Sequence, residues 1–219
     1  MYSNPLGPTA THLSRRRLIT AAAAAGASIS IGSAIARSQP FVRSFDFSKP
    51  LDGWTIVSGK WATEEVPGDW PGRPALVQQA QSKEFNVIVA PGGPYGNVEV
   101  AVRFRLIFGS ADLSAGIVFR FAEERYYVIR ADAMADNLNL YYYDRERRQI
   151  AGANVMAPAI DQWHKLRISA VGDRIQGWLN DQALIDARDS RFASGRIGLW
   201  TKADSLAAFD NLTVTPLNA

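Results

Sequence analysis

Paired carboxylates are the commonest groupings of reactive side chains in this chain of 219 residues. They are Glu64-Glu65, Glu123-Glu124, and Asp132 with Asp136. A laminarinase-type glucanase needs two carboxylates that project from one strand on either side of the scissile bond. These acids fall at strand ends or turns, where solvated charge is the common explanation, and no Glu-x-Asp-x-x-Glu spacing occurs. Glucanase chemistry of that type is therefore not predicted.

Other catalytic groupings are equally sparse. His164 is the one histidine after residue 36, and its phase with Leu166 and Ile168 favours a packed structural role. The chain has no cysteine, so it has neither a disulfide framework nor a Cys/His zinc cluster. If the chain is an enzyme, the preferred candidates for a base and its positioning groups are Asp132 and Asp136, beside Arg130 and Tyr141.

Residues 1–36 have the features of a twin-arginine export signal. Arg15, Arg16 and Arg17 precede a weakly apolar stretch rich in Ala, Gly and Ser, and small residues three apart suit cleavage after Ala36. An uncleaved membrane anchor is the alternative, although Ala, Gly and Ser insert poorly into a bilayer. We therefore expect a periplasmic or secreted protein with no transmembrane segment once the signal is removed.

The remaining residues, 37–219, are expected to form one domain. Apolar residues make up 47% of the chain, which is enough for a sizeable core. The signal holds three of the 24 Lys and Arg and none of the 21 Asp and Glu, which leaves 21 charges of each sign in the domain. A near-neutral domain without a basic run is not predicted to bind nucleic acid. The oligomeric state stays open.

The dominant hydrophobic period is two, which is typical of half-buried strands. In residues 98–106, for example, apolar side chains alternate with polar or small ones. Further strands are predicted at 54–57, 60–64, 75–79, 86–89, 116–121, 126–131, 138–143, 163–171, 174–179, 196–201 and 209–214. Turn residues separate them, and no sustained helical stripe follows residue 36. The pattern predicts an all-β, antiparallel sandwich.

Several short motifs resemble the concanavalin A-like lectin/glucanase jelly rolls. They include Gly59-Lys60-Trp61, the run 115–121, the run 126–130, Gln162-Trp163-His164 and the run 195–201. Within that superfamily the chain is similar to the 3-keto-disaccharide hydrolase-like (family 16-like) domains. The resemblance implies a two-sheet jelly roll whose concave face receives a sugar in the relatives that bind ligands. It also implies a reaction that proceeds by proton abstraction beside a ketone and elimination of the leaving sugar, which a metal assists in some members.

Side-chain parity predicts which residues line that concave face. If Phe119, Phe121, Tyr127 and Ile129 point into the core, their neighbours point outward. The predicted ligand-binding set is Arg103, Arg105, Arg120, Tyr126, Arg130, Asn139, Tyr141, Tyr143, Trp200 and Lys202. Aromatic rings and planar hydrogen-bonding groups suit sugars, although cross-strand pairs of Tyr and Arg also stabilise sheets that bind nothing.

The same resemblance suggests a structural calcium ion between the first and last strands, with Asp46 and Asp210 as candidate ligands. Turn capping by these two acids is the alternative. Three functions stay open on the sequence: an exported saccharide-binding domain, an active 3-keto-glycoside hydrolase or lyase, and a structural or protein-binding domain of the envelope.

Overall fold

Two antiparallel β-sheets packed face to face form the fold. The computed structural model describes residues 41–66, 73–79 and 84–218, and in these ranges the regular elements are all strands. The strands are β1 Arg43–Phe45, β2 Thr55–Ser58, β3 Trp61–Glu65, β4 Pro74–Gln78, β5 Phe85–Val89, β6 Val98–Phe108, β7 Ser114–Ala122, β8 Arg125–Asp132, β9 Asn137–Asp144, β10 Glu146–Asn154, β11 Trp163–Val171, β12 Arg174–Leu179, β13 Gln182–Arg188, β14 Arg196–Lys202 and β15 Leu206–Pro216.

The strands divide into two sheets of similar size. The first sheet has the order β13-β12-β11-β6-β15-β4-β3, and β1 pairs with the far half of β15. The second sheet has the order β10-β9-β8-β7-β14-β5-β2. Neighbours in both are antiparallel, so the predicted two-sheet sandwich is confirmed.

The core lies between the inner faces of the sheets, and the period of two places its side chains. On β6 the alternate residues Val98, Val100, Val102, Phe104 and Leu106 are all buried in it. On β8 and β9 the inward side chains include Tyr127, Ile129, Leu138 and Leu140, as parity predicted. Full burial of one such side chain stabilises the fold by about 1.5–3 kcal/mol.

Strand prediction succeeded for the central strands and for the outermost strands β2 and β3, and it failed for β10, β13 and β1. β11 and β12 have the predicted bounds, whereas β10 and β13 were not predicted. Both are outermost strands whose residues are mostly exposed or half-buried. An edge strand lacks neighbours on one side and tolerates polar residues on both faces, so its hydrophobic alternation is weak. The three-residue β1 was also missed.

A bulge in β7 changes the direction of two side chains near its end. Arg120 has a positive φ of 52°, and the register with β8 shifts between Phe119 and Ala122. A bulge inserts one extra residue, so later side chains change face. Phe121 therefore packs on the outer face of the second sheet, and the prediction that it points into the core is wrong.

The same bulge turns Arg120 away from the predicted ligand face. Its guanidinium is 1% exposed and donates to the carbonyl oxygens of Gly96 (3.0 Å), Phe192 (2.9 Å) and Gly172 (2.7 Å). Burial lowers the pKa of Arg120, partly offset by the nearby Tyr127 and Asp189. The predicted outward placement of Arg120 is therefore wrong, because its donors join three loops at one end of the sandwich.

Candidate functional site

The outer face of the second sheet collects most of the predicted ligand-binding residues. Strand register places Tyr126 opposite Tyr143 and Arg130 opposite Asn139, and the alternate inward residues belong to the core. The residues that share this face are Tyr126, Arg130, Asn139, Tyr141, Tyr143, Trp200 and Lys202. Most are buried, Trp200 completely, so the face is a packed layer and not an open groove.

Arg103 and Arg105 do not belong to this face. They lie on β6, which is in the first sheet, and point to its outer side. Arg103 lies 2.9 Å from Asp210 and over the ring of Trp163, and Arg105 pairs with Asp161 at 3.2 Å. The sequence placed β6 beside β7 because the two strands are consecutive, whereas the chain crosses between sheets at that point. Their predicted placement on the same face as Tyr126 and Arg130 is therefore wrong.

Five aromatic side chains form a cluster on the outer face, which we call the aromatic cluster: Phe85, Phe121, Tyr126, Tyr143 and Trp200. Tyr126 is stacked between Phe121 on β7, at 5.6 Å between ring centroids, and Tyr143 on β9, at 4.6 Å. Phe85 stacks on Trp200 at 5.5 Å and meets the edge of Tyr143 at 5.0 Å. Both faces of Tyr126 are thus covered by other rings and cannot stack on a ligand.

A hydrogen-bonded group, the polar cluster, lies beside the rings: Arg130, Asp132, Asn139 and Tyr141. Arg130 forms an ion pair with Asp132 and donates to the Tyr141 hydroxyl at 3.4 Å, and Asn139 donates to the same hydroxyl at 3.1 Å. Asp132 and Tyr141 raise the pKa of Arg130 although its burial lowers it. Arg130, Asn139 and Tyr141 are buried and bond mainly to members of this cluster, although Arg130 Nε has no partner among the described residues. Their ligand-binding role stays a prediction.

Lys202 is similarly engaged at the end of β14. Its Nζ lies 2.5 Å from Asp112 Oδ2, and Asp112 also accepts from the hydroxyl of Ser114. The neighbouring loop is held by Asp204, whose carboxylate accepts from the backbone N–H groups of residues 110–112. These bonds, with that from the Ser110 hydroxyl, lower the pKa of Asp204.

The most prominent cavity lies at the other end of the face, where two hairpins turn, and we call it the hairpin pocket. Its volume is about 770 Å³, within the usual range for small-molecule sites. Its floor contains Phe85, Phe121, Tyr126 and Tyr143, and its charged walls come from the β7–β8 and β9–β10 turns, the start of β10 and the residue before β5. Those charged residues are Glu84, Glu123, Glu124, Arg125, Asp144, Arg145 and Arg147.

Arg147 connects the pocket with the rings. Its guanidinium lies 4.8 Å from the centroid of Tyr141 and 5.8 Å from that of Phe85. Its charge favours ionisation of Tyr143, but burial dominates and raises the pKa of that phenol. Burial likewise raises the pKa of Tyr126, against an opposing contact from the Trp200 side chain. Both phenols therefore stay neutral hydroxyl groups over the physiological pH range.

Sequence reasoning found only Tyr126 and Tyr143 among the residues of this pocket. Glu123-Glu124 had been read as a solvated turn, and Arg147 lies in the unpredicted strand β10. The one signal for Arg147 is local: its cross-strand partner is Tyr143, two residues from Tyr141 on the same face. Arg147 can be assigned to the pocket only when the pairing of β9 with β10 is known.

The weak catalytic candidates lie elsewhere. Asp132 uses one oxygen for Arg130 and the other for the N–H groups of Met134 (2.9 Å) and Ala135 (3.0 Å), so it caps the β8–β9 turn. Asp136 is exposed in that turn with a φ of 50°. Asp132 is six residues along β8 from Tyr126, about 20 Å from the hairpin pocket at strand spacing. Asp132 therefore cannot reach a ligand bound in the hairpin pocket, and neither can Asp136, which lies further along the same turn.

His164 has a structural environment. Its Nδ1 faces the amide of Asn180 at 3.0 Å, its Nε2 faces the carbonyl of Ala159 at 3.0 Å, and its ring packs on Phe104. Both nitrogens are thus occupied, as a packed histidine requires.

Asp46 and Asp210 line one cavity of about 390 Å³ together with Ser48, Arg73 and Asn211. The Asp46 carboxylate accepts from the N–H and hydroxyl of Ser48, which lowers its pKa, and Arg103 lies 2.9 Å from Asp210. Calcium requires six to eight oxygen ligands, and neighbouring guanidinium groups repel it. In the described ranges no group of three or more His, Cys, Asp or Glu side chains is arranged to hold a metal. The donor set therefore fits calcium poorly.

Comparison with known proteins gives a family match and several relatives. The model of the 3-keto-alpha-glucoside-1,2-lyase-like domain family matches residues 40–215. Levanase from Bacillus subtilis (strain 168) is 26% identical over 175 residues, which are 76% of this chain but only 23% of the levanase. The chain therefore spans less than a quarter of that enzyme.

Two solved structures show the same fold. The carbohydrate binding module CBM66 from Bacillus subtilis has a TM-score of 0.65 and 24% identity, over 76% of this chain and 97% of the module. A protein with a galectin-like fold from Bacillus subtilis has a TM-score of 0.61 and 12% identity, over 81% of this chain and 97% of that protein.

Proposed function

We propose that this chain, which belongs to the family of 3-keto-alpha-glucoside-1,2-lyase-like domains, binds a saccharide in the hairpin pocket. The observation that carries the proposal is the pocket itself. It joins phenol and guanidinium groups with carboxylates in about 770 Å³, at the edge of a rigid aromatic cluster. Sugar hydroxyls both donate and accept hydrogen bonds, so they can pair with each of these groups.

The relatives support the same class of ligand. CBM66 is named as a carbohydrate-binding module, and levanase is named for an activity on levan. A binding module and a short segment of an enzyme are both consistent with recognition without catalysis. We therefore infer that binding is the primary activity of this domain.

Hydrogen bonding, and not ring stacking, is the proposed mode of recognition. Stacking requires an open ring face, whereas Tyr126 lies between two other rings. The groups available to a ligand are therefore the charged side chains that surround the rings of the pocket floor. Charged groups form hydrogen bonds about twice as strong as neutral ones.

A second candidate function is hydrolysis or elimination of a 3-keto-glycoside, which the family name favours. Such a reaction needs a base beside the carbon next to the ketone. The first sequence candidates, Asp132 and Asp136, are poorly placed for it, so an acid from the pocket wall would have to serve. Assay of 3-keto-glycosides with and without divalent metal separates this function from binding alone.

Export is part of the proposal. The twin-arginine segment, residues 1–36, lies outside the described residues, so passage through that pathway to the periplasm or the exterior rests on the sequence. No helix with the length and hydrophobicity of a membrane span occurs in the part of the chain that the structure describes.

The test is retention on a glycan array that includes levan and the α-glucosides sucrose and trehalose, followed by calorimetry with two variants. Arg147→Ala removes a pocket guanidinium and is expected to weaken binding about tenfold or more, since it removes a charged donor. Arg148→Ala is the matched control, because Arg148 is the next residue on β10, is exposed, and pairs only with Glu146 among the described residues. Equal affinity of the two variants would refute the site.

Absence of retention of any glycan would favour a structural or protein-binding envelope domain.

A further inference from the structure

The hairpin that forms one wall of the pocket has a strained sequence. Glu123 and Glu124 occupy the two central positions of the β7–β8 turn, with φ values of 51° and 65°. Two-residue hairpins of this kind place both residues in the left-handed region, where glycine, asparagine and aspartate are favoured. A glutamate is strained there, because its Cβ approaches the backbone.

Two other hairpins of the same chain provide an internal comparison. The β12–β13 turn has Asn180 and Asp181 at φ values of 49° and 65°, and the β11–β12 turn has Gly172 at 57°. Both use residues suited to the left-handed region. Only the hairpin beside the pocket, among these three two-residue turns, has glutamate at both positions.

The two glutamates differ in their contacts. Glu123 pairs with Arg125 at 3.0 Å on the exposed side of the turn. Within the described part of the chain Glu124 has no hydrogen bond or ion pair, although it lines the pocket and lies close enough to Tyr126 to act on its phenol. The carboxylate of Glu124 thus contributes nothing evident to folding.

The pocket floor contains a buried hydroxyl group without a partner in hydrogen-bonding geometry within the described ranges. The hydroxyl of Tyr143 is buried and has no partner in hydrogen-bonding geometry among the described residues, since Arg147 lies near it without such geometry. Tyr143 itself is 8% exposed. An unpartnered polar atom of this kind is uncommon in a native structure and needs an explanation.

We propose that Glu124 is a specificity-determining residue of the pocket, whose carboxylate accepts hydrogen bonds from two hydroxyl groups of a bound saccharide. Backbone strain is retained at functional sites where a side chain must be held in one place. A carboxylate can accept from two vicinal hydroxyls at once, so the class of ligand is a neutral sugar residue with an unsubstituted vicinal diol. This inference rests on the proposed function and adds the residue and the feature of the sugar that it reads.

Three variants test the assignment by calorimetry with levan oligosaccharides and with sucrose. Glu124→Gln keeps the size of the side chain and is expected to weaken binding about tenfold or more, because it removes the charge from the acceptor. Glu146→Gln is the matched control, since Glu146 is exposed, pairs with Arg148 and does not line the pocket, and this variant is expected to leave affinity within about twofold. Methylation of the vicinal hydroxyls of the sugar should weaken its binding to the wild-type protein by the same factor. It should change the affinity for Glu124→Gln only a little.

The third variant, Glu123→Asn with Glu124→Gly, tests the strain itself. It gives the turn its favoured sequence, so the midpoint of thermal unfolding should rise by about 2–4 °C while binding is lost. A lower midpoint would overturn the strain argument. Wild-type affinity in Glu124→Gln, or equal losses in Glu146→Gln and Glu124→Gln, would overturn the role of Glu124. A wild-type chain that retains no array glycan is a different result, because it rejects the proposed function.

Discussion

Replacement of Arg120 with alanine is expected to destabilise the domain strongly while leaving the hairpin pocket in place. The guanidinium holds the carbonyl oxygens of Gly96, Phe192 and Gly172, which belong to three separate loops. Removal of the side chain leaves three carbonyl groups without this donor at a site where the guanidinium is almost fully buried.

The expected loss can be bounded from these contacts. Each hydrogen bond to a charged group contributes about 1.5–3 kcal/mol, and relief of the buried charge offsets part of the sum. Loss of one partner from a buried charged network costs about 3–5 kcal/mol, and we expect Arg120→Ala to fall in that range. For a domain of this size the midpoint of thermal unfolding would decrease by about 6–20 °C.

Urea denaturation followed by tryptophan fluorescence measures this change in the free energy of unfolding. Arg120→Lys should lose about half as much, because one ammonium group cannot reach three carbonyls in a fork. Arg148→Ala, with its side chain 64% exposed, should change the free energy by less than about 0.5 kcal/mol. A loss below about 1 kcal/mol in Arg120→Ala would refute the claim that this guanidinium joins the loops.

Two further predictions concern pH and metal. Burial, aided by Asp189, raises the pKa of Tyr127 from 10.0 to about 12, so the folded state keeps a proton that the unfolded state loses. Stability from this group is complete below pH 10 and should fall by about 2–3 kcal/mol between pH 10 and 12, and Tyr127→Phe should show a shallower decrease in alkaline denaturation. Calcium at 5 mM should shift the melting temperature by less than about 1 °C, because Arg103 lies against Asp210 and Ser48 occupies Asp46. An increase of several degrees that Asp46→Asn abolishes would restore the predicted calcium site.

The fold was predictable because alternation persists in the central strands. β6, β8 and β9 each bury one face in the core, so every second residue is apolar and its face can be read from the sequence. The bulge at Arg120 was not predictable in this way, since nothing in the run 116–121 marks the extra residue. One unrecognised bulge was enough to misplace both Arg120 and Phe121.

The site was harder to predict because its polar residues lie in turns and on an edge strand. Parity assigns a face only within a paired strand, and it gives no information about Glu124 or Arg147 until the β7–β8 and β9–β10 hairpins are known. The assignment of Arg103 and Arg105 failed for a related reason, because parity gives a face but not a sheet.

The aromatic residues of the outer face therefore do not have the sugar-stacking role that the sequence suggested for them. No strand of the described chain covers that side of the second sheet, and the rings of Tyr126, Tyr143 and Trp200 bury one another there. They stabilise the sheet and fix the pocket floor, whereas recognition is assigned to charged groups on the hairpins. Substitutions in the cluster should accordingly change stability and affinity together, whereas Glu124→Gln and Arg147→Ala should change affinity with little effect on stability.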